Sequence, residues 1–465
     1  MAATTTAPPA IDAATRGEIE RVFALQREYR WTAKNTSADH RKAMLVRLKD
    51  AILRHADDAR DALHADLGKP AEEPMMLEVL TILGDIDEAV ANLDEWMRAV
   101  PMTPSGPLTA EGATVEVRYE ARGVCLLLGP WNFPYQLVFA PLVPMIAAGN
   151  TAIVKPNELA PACSELIARI IRECFDEREV ACFVGGVPVA EALLELPVDH
   201  VFFTGSPKVA KTVMAAAAAN LSSVTLELGG KCPAIIDATA DLERAATHVA
   251  FGKHYNAGQI CLSPDHVWVR DTVHDEFLQH YMEWVRSNLY TEDGQFNVAA
   301  MSHMVDGRNF DRVRGYIEDA KRRGAEVVAA GDGHAERRII EPTVLVDVPM
   351  DADVMRDEIF GPVLPLLAYD DPAEIVEHLA SGEKPLALYI FSQDDDFVET
   401  ILTGTSSGGV TVNGWATHHS EKSLPFGGVG NSGYGRYHGI HGFRELSHER
   451  GVVKQPEIHP PSPLG

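Results

Sequence analysis

The chain has 465 residues, of which 46% are hydrophobic and 23% charged, a balance that suits two or three soluble globular domains and argues against a disordered or membrane-embedded protein. A formal net charge of -26 argues against a nucleic-acid or anionic-membrane surface, because either partner would be repelled before contact. The six cysteines, Cys125, Cys163, Cys174, Cys182, Cys232 and Cys261, lack the paired spacing of a secreted disulfide scaffold, so a reducing, cytoplasmic compartment is expected.

Met1 to Ala14 is rich in Ala, Thr and Pro, with no basic residue and no apolar block; it reads as a frayed arm and not as a secretory signal. From Ala14 to about Arg98 good helix formers dominate and apolar positions recur at three and four, as in Met75, Met76, Val79, Leu80 and Leu83. Pro101 to Pro107 interrupts that pattern, and Ala113 to Glu120 then alternates as a half-exposed strand. The segment reads equally as a bridge between subunits or as a plain edge hairpin. The longest apolar run, Val138 to Ala148, carries Pro141 and Pro144 and is far shorter than the roughly 20 residues that span a bilayer.

From Gly123 short apolar strands alternate with helices: Val124–Leu128, Ala152–Val154, Ala181–Val184, Val201–Phe203 and Val224–Leu228, with helices from Ala162 to Cys174 and from Pro207 to Asn220. This predicts a parallel, doubly wound sheet with its ligand at the carboxyl ends of the strands, where Gly129, Lys155, Gly185-Gly186 and Gly205-Ser206 fall. A second α/β series follows, with strands at Ala234–Ile236, Val267–Val269, Glu326–Val328, Thr343–Val346, Val363–Leu367, Ala387–Ile390 and Gly409–Val412. Leu424 to Gly442 is glycine-rich, and Phe443 to Val453 reads as the end of a loop returning to the site, followed by a tail.

No Cys-x-x-Cys or His-x-x-x-His pattern predicts a metal site, and the strict Gly-x-Gly-x-x-Gly dinucleotide fingerprint is missing. Phe203-Thr204-Gly205-Ser206 before a helix can still set a pyrophosphate on free N–H groups. Cys261, after the turn Tyr255-Asn256-Ala257-Gly258, is either a packed thiol or a nucleophile whose pKa nearby backbone N–H groups lower. Taken alone, Asn132 reads as a turn residue, and Glu227 equally as a buried base or as an ion-pair partner of Lys231.

Six segments then act together: Gly129-Pro130-Trp131-Asn132-Phe133-Pro134, Phe203-Thr204-Gly205-Ser206, Leu226-Glu227-Leu228-Gly229-Gly230-Lys231, Gly258-Gln259-Ile260-Cys261, Glu358-Ile359-Phe360-Gly361-Pro362 and Leu424-Pro425-Phe426-Gly427-Gly428. In order and spacing they resemble the aldehyde dehydrogenase superfamily, over about 123–442, and the Gly433-Tyr434-Gly435-Arg436-Tyr437-His438-Gly439 ending is similar to its class 3 branch of fatty, aromatic and coniferyl aldehyde enzymes. The resemblance implies two doubly wound domains, one Rossmann-like for NAD and one catalytic, with a small β bridging element that makes a homodimer. The implied boundaries are 1–100 with 121–226 for the NAD-binding domain, 227–425 for the catalytic domain, and 101–120 with 426–465 for the bridge and tail.

The resemblance also implies roles: Cys261 as nucleophile, Asn132 as oxyanion donor and Glu227 as general base for hydrolysis of a thioester. Lys155 and Glu158 would face the adenosine ribose, Gly205 and Ser206 the pyrophosphate, and Glu358 and Phe360 the nicotinamide side, with Gly229 and Trp131 also on the cofactor. Glu158 favours NAD, while Lys155 leaves NADP open. Pro207 and Ala210 depart from the family pattern in the pyrophosphate helix, and His266 stands where the branch often has Tyr, as a packing difference. Tyr135, Leu137 and Ala140 are candidates for a substrate tunnel with Trp415 to His419 at its mouth, leaning to an aromatic or long-chain aldehyde. The alternatives are cysteine-dependent acyl transfer or ester hydrolysis without net redox, and a catalytically silent dinucleotide-binding protein.

Overall fold

The computed structural model describes residues 11–110, 112–329 and 333–456. Most of the expected amino-terminal arm, 1–10, lies outside them, and Ala13 and Ala14 already belong to a helix, Ala13–Lys34, whose first turn is held by the Asp12 carboxylate accepting from Thr15 N at 2.8 Å. Helices Ala38–Arg54, Ala56–Leu67 and Leu80–Trp96 follow, as the three-four apolar spacing predicts. Pro74–Val79 between them is a π-helical turn.

The strands come in chain order as β1 (Val100–Met102), β2 (Thr114–Ala121), β3 (Val124–Leu128), β4 (Thr151–Lys155), β5 (Val180–Cys182), β6 (His200–Thr204), β7 (Ser223–Glu227) and β8 (Pro233–Ile236). They continue as β9 (His266–Arg270), β10 (Glu326–Ala329), β11 (Thr343–Val346), β12 (Val363–Tyr369), β13 (Ala387–Phe391), β14 (Gly409–Val412), β15 (Gly433–Tyr434) and β16 (Ser447–Lys454). Three sheets result. The first runs β15-β7-β6-β3-β4-β5, parallel except for β15; the second runs β10-β11-β12-β9-β8-β13-β14, parallel except for β10; the third is the antiparallel set β1-β2-β16.

Every residue of β3, β4 and β6 is buried, as parallel strands covered on both faces require. One cover is the helix Pro161–Cys174, whose stripe of Cys163, Ile167, Ile170, Ile171 and Cys174 packs inward. Another is Gln136–Ala148, the apolar run with two prolines, in which all positions are buried. A proline inside a helix costs about 3 kcal/mol through the lost N–H bond and ring clash. Burial of Phe139, Leu142, Met145 and Ile146, each contributing about 1.5–3 kcal/mol, offsets it. Gly149 ends that helix in the left-handed region at φ 84°.

β3 pairs with both β4 and β6, so the chain reverses its direction of winding there and leaves a crevice at the carboxyl ends of β3 and β6. The stretch 443–453, read from sequence as the end of a loop and a tail, is instead a short helix, Gly439–Glu445, and a strand: β16 pairs with β2 from Ser447 opposite Ala121 to Lys454 opposite Thr114. Nothing in its own residues marks it as a strand, because its pairing partner lies more than three hundred residues earlier.

Candidate active site

The crevice between β3 and β6 opens into a cavity of about 670 Å³ bounded on the other side by loops that lead into the second sheet. Trp131, Asn132, Lys155, Glu158, Gly205, Ser206, Glu227, Gly229, Cys261, Glu358 and Phe360 all line it. The sequence candidates for catalysis and cofactor binding thus meet in one place.

Cys261 stands on a loop whose backbone is strained. After the helix Leu242–His254, Asn256 (φ 46°) and Ala257 (φ 52°) take left-handed conformations, which cost non-glycine residues roughly 1–2 kcal/mol each. Gly258 follows at φ 72°, where an added Cβ would collide with the Gly361 carbonyl. Buried amides hold the turn: Asn256 Nδ2 donates to Asn132 O at 2.9 Å, and Gln259 Nε2 donates to Asn256 O at 3.0 Å and His303 O at 3.1 Å. Beyond the cysteine, the Leu262 carbonyl accepts from Tyr389 OH at 2.6 Å and Trp415 Nε1 at 2.9 Å. The thiol itself keeps partial exposure to the cavity.

Burial pushes the Cys261 thiol up to about 12, and the Glu358 and Glu227 carboxylates add to that rise. The N–H groups of Cys261 and Leu262 pull the other way, but they are the smaller effect. The expectation that backbone N–H groups lower this pKa therefore names the weaker influence: burial, with two nearby acids adding to it, outweighs two peptide dipoles. The resting thiol is protonated at neutral pH, and its attack requires a proton acceptor.

Glu227 ends β7, and both its carboxyl oxygens are buried without a hydrogen-bond partner. Burial raises its pKa well above the ordinary carboxylate value, with Arg436 opposing and Glu445 reinforcing. Lys231 is engaged elsewhere: it pairs with Asp265 and donates to Val354 O at 2.8 Å and Asp357 O at 3.0 Å. This removes the ion-pair reading of Glu227. Asn132, also buried, donates one amide hydrogen to Gln259 O at 3.0 Å, which fixes the amide's orientation and leaves its second hydrogen uncommitted.

The cofactor side is built from the first sheet. The helices Val187–Leu194 and Pro207–Ala219 begin at the cavity, the second capped by Ser206 Oγ accepting from Val209 N at 3.4 Å. Two positive helix ends suit a pyrophosphate. Lys155 Nζ donates to Glu158 at 2.9 Å and to Pro156 O at 3.1 Å. The Thr204 hydroxyl lines the cavity and is buried with no partner. At Gly229 an added Cβ would enter the Glu358 carboxylate, and Glu358 is raised to about 8, first by burial and then by Asp265. Phe360 meets Trp131 edge-on at 5.4 Å. Orphaned hydroxyl, helix ends and the carboxylates of Glu158 and Glu358 along one cavity fit a nicotinamide dinucleotide.

Sequence reasoning missed Arg308, Asn309 and Arg312, which line the cavity from the helix Gly307–Arg322. Their signal was two arginines four apart on one helical face, bringing local positive charge to a strongly acidic chain. The tunnel reading is corrected in part. Leu137 lines the cavity, but Tyr135 is fully buried against Phe139, ring centroids 4.9 Å apart, and Ala140 is buried in the same helix. Trp415 is turned to the Leu262 carbonyl and His418 to Thr411, and none of 415–419 lines this cavity. His266 is buried beside Trp268 and Asp265, as a packing residue. Among the described residues no group of three or more His, Cys, Asp or Glu side chains is placed to hold a metal, and no helix is long and apolar enough to cross a membrane.

Fold and cleft together define a dinucleotide-dependent α/β oxidoreductase. The chain belongs to the aldehyde dehydrogenase family, whose profile matches residues 3–452. It is 41% identical over 426 residues to a protein of Caulobacter vibrioides named probable coniferyl aldehyde dehydrogenase, covering 90% of this chain and 87% of that one. It is 36% identical over 428 residues to the dimeric NADP-preferring aldehyde dehydrogenase of Canis lupus familiaris, covering 92% of each. The substrate-bound AldH structure of Staphylococcus aureus superposes with a TM-score of 0.90 at 35% identity, covering 95% of both chains. The protein is therefore an aldehyde dehydrogenase of the class 3-like branch that works with NAD or NADP.

Proposed function

We propose that Cys261 attacks the aldehyde carbonyl, that Asn132 and the Cys261 N–H hold the resulting oxyanion, and that Glu227 serves as the base. The observation that carries this reading is the unpartnered, buried Glu227 carboxyl lining the same cavity as Cys261 and Asn132. The thiol gives its proton to solvent as it attacks, and the Glu227 carboxyl, raised by burial, takes a proton from the water that cleaves the thioester. Attack gives a thiohemiacetal at Cys261; loss of hydride from the substrate carbon leaves a thioester; water then cleaves it to the acid and restores the thiol. When bound, the nicotinamide ring supplies the hydride acceptor. Glu358 and Phe360 would hold its side of the cofactor, Gly205, Ser206 and Gly229 would admit the phosphates and ribose closely, and Trp131 would wall the cleft.

Glu158, with Lys155 already engaged by it, presents a carboxylate to the adenosine ribose and favours NAD over the 2′-phosphate of NADP. The coniferyl name of one relative supports an aromatic substrate, with a long-chain aldehyde as the second choice. The division into a cofactor domain (1–100 and 121–226), a catalytic domain (227–425) and a bridge (101–120 and 426–465) is supported by the pairing of β16 along β2; β15 is the exception, since it adds to the first sheet. The exposed Val100, Met102 and Val453 of the third sheet, and the dimeric relative, support a homodimer formed there in a reducing, cytoplasmic setting.

The test is a panel of aliphatic and aromatic aldehydes measured with both cofactors. One acid per reduced cofactor is expected, and Cys261→Ala should lower turnover by about 10⁴-fold or more while cofactor affinity stays unchanged. Ester hydrolysis without cofactor reduction, or full activity of the variant, overturns the reading.

A further inference from the structure

A buried charge cluster outside the cavity touches both catalytic loops. Lys69 and Glu78 form an ion pair of 2.6 Å with side chains 1% and 0% exposed. Glu78 Oε2 also accepts from Tyr135 N and Gln136 N, each at 3.0 Å, and so grips the chain three residues beyond Asn132. The Lys69 ammonium lies 3.9 Å from the centroid of the Phe133 ring, next to Asn132. Glu73, on the same segment and also buried, accepts from Asn256 N at 3.3 Å through both carboxyl oxygens. Asn256 is the first left-handed residue of the cysteine loop, and its side chain reaches back to the Asn132 carbonyl.

Two carboxylates and one ammonium in a dry interior are an expensive way to stabilise a fold, since well-packed apolar residues commonly serve as well or better. Here both acids accept from the backbone of a loop that carries a reacting group, and Lys69 holds Glu78 and lies over the Phe133 ring. Glu78 and Lys69 fix the Asn132 side and Glu73 the Cys261 side, with Asn256 joining the two. The cluster's hydrogen bonds to the chain thus bracket the oxyanion-donor loop and the nucleophile loop.

We propose that Glu73, with the Lys69–Glu78 pair, is a positioning residue for the first chemical step, holding Asn256 left-handed so that the Asn132 amide and the Cys261 thiol converge on one carbonyl. It touches neither substrate nor cofactor and acts through Asn256. This rests on the roles proposed above for Asn132 and Cys261.

The experiment is single-turnover hydride transfer with enzyme in excess over aldehyde, alongside cofactor titration by fluorescence. Glu73→Gln should slow single turnover about tenfold, in the range that small misplacement of reacting groups produces, and leave the cofactor Kd within about twofold. In an Asn132→Ala background, where the donor is already gone, the same substitution should add less than about twofold, because the two residues act on one geometry. Glu73→Asp, which keeps the carboxyl and withdraws it by one methylene, should fall between wild type and Gln, and it carries the same comparison if the Gln variant does not fold. Equal losses in both backgrounds, no loss in the first, or a loss tracked by weaker cofactor binding overturns the assignment. An unchanged single-turnover rate in Asn132→Ala alone overturns the role of Asn132, and with it this proposal, whereas a slow Asn132→Ala beside an unaffected Glu73→Gln removes this proposal only.

Discussion

The two large sheets are wound alike yet meet the cavity with opposite edges. In the first, the reversal of strand order between β3 and β6 leaves an open crevice at the carboxyl ends, where Gly129, Thr204 and Gly205 border the cavity. The second sheet has the same reversal between β8 and β13, but its carboxyl end is shut: Asp237 accepts from Thr239 Oγ1 at 2.6 Å and Ser392 Oγ at 3.0 Å, and Ser392 is bridged to Asn413 at 3.0 Å. It contributes from its amino edge instead, through Cys261 ahead of β9 and Glu358 ahead of β12. A doubly wound sheet thus offers a ligand crevice at its carboxyl end only if that end is left unfilled. Here one sheet meets the cavity with its carboxyl ends and the other, turned round, with its amino ends.

If the two halves of the reaction divide as proposed, Glu227 at the end of β7 should matter for the hydrolytic half alone. Glu227→Gln is expected to lower steady-state turnover by about 10²–10⁴-fold while one equivalent of hydride still appears per active site in a rapid-mixing experiment. The same variant should move the pH midpoint of Cys261 alkylation downward, because Glu227 raises that thiol and its removal makes thiolate cheaper. Loss of the first hydride equivalent would break the division. A smaller effect tests the seam between sheets: Gly229→Ala drives a methyl into the Glu358 carboxylate, and cofactor Kd should rise roughly 5–150-fold, the equivalent of about 1–3 kcal/mol of overpacking, with Cys261 alkylation unaffected. The smallest effect on activity belongs at the closed crevice. Asp237→Asn should cost about 1–3 kcal/mol of stability in denaturant unfolding, by weakening the bonds to Thr239 and Ser392, and change kcat/KM by less than about twofold.

Strands such as β3, β4 and β8 were legible because a buried parallel strand is a short apolar run bounded by turn residues, as at Val124–Leu128 before Gly129-Pro130. Nine of the eleven cavity candidates sit in one of the six family segments, and Lys155 and Glu158 lie at the carboxyl end of β4. What could not be read depends on partners remote in the chain. β16 is defined by β2, and its own residues, Ser-His-Glu-Arg-Gly-Val-Val-Lys, look like a charged tail. The prolines of Gln136–Ala148 argue against a helix that only total burial sustains. Tyr135 looked like a tunnel residue from its spacing, but which side of a helix faces the cavity is set by its neighbours. The rise of the Cys261 thiol comes first from its burial in the folded chain and then from the acids Glu358 and Glu227, 97 residues after and 34 before it, none of which the loop that carries the thiol reveals.

The antiparallel pairing of Gly433 with Glu227 and of Tyr434 with Leu226 has a consequence for how the molecule is made. On a nascent chain β7 is the bare rim of the first sheet, an exposed row of peptide groups next to a buried acid, until more than two hundred further residues have been synthesised. The acid proposed as the base is therefore enclosed late, and a chain cut short before residue 433 would carry every residue proposed for catalysis and still leave that rim open to other chains.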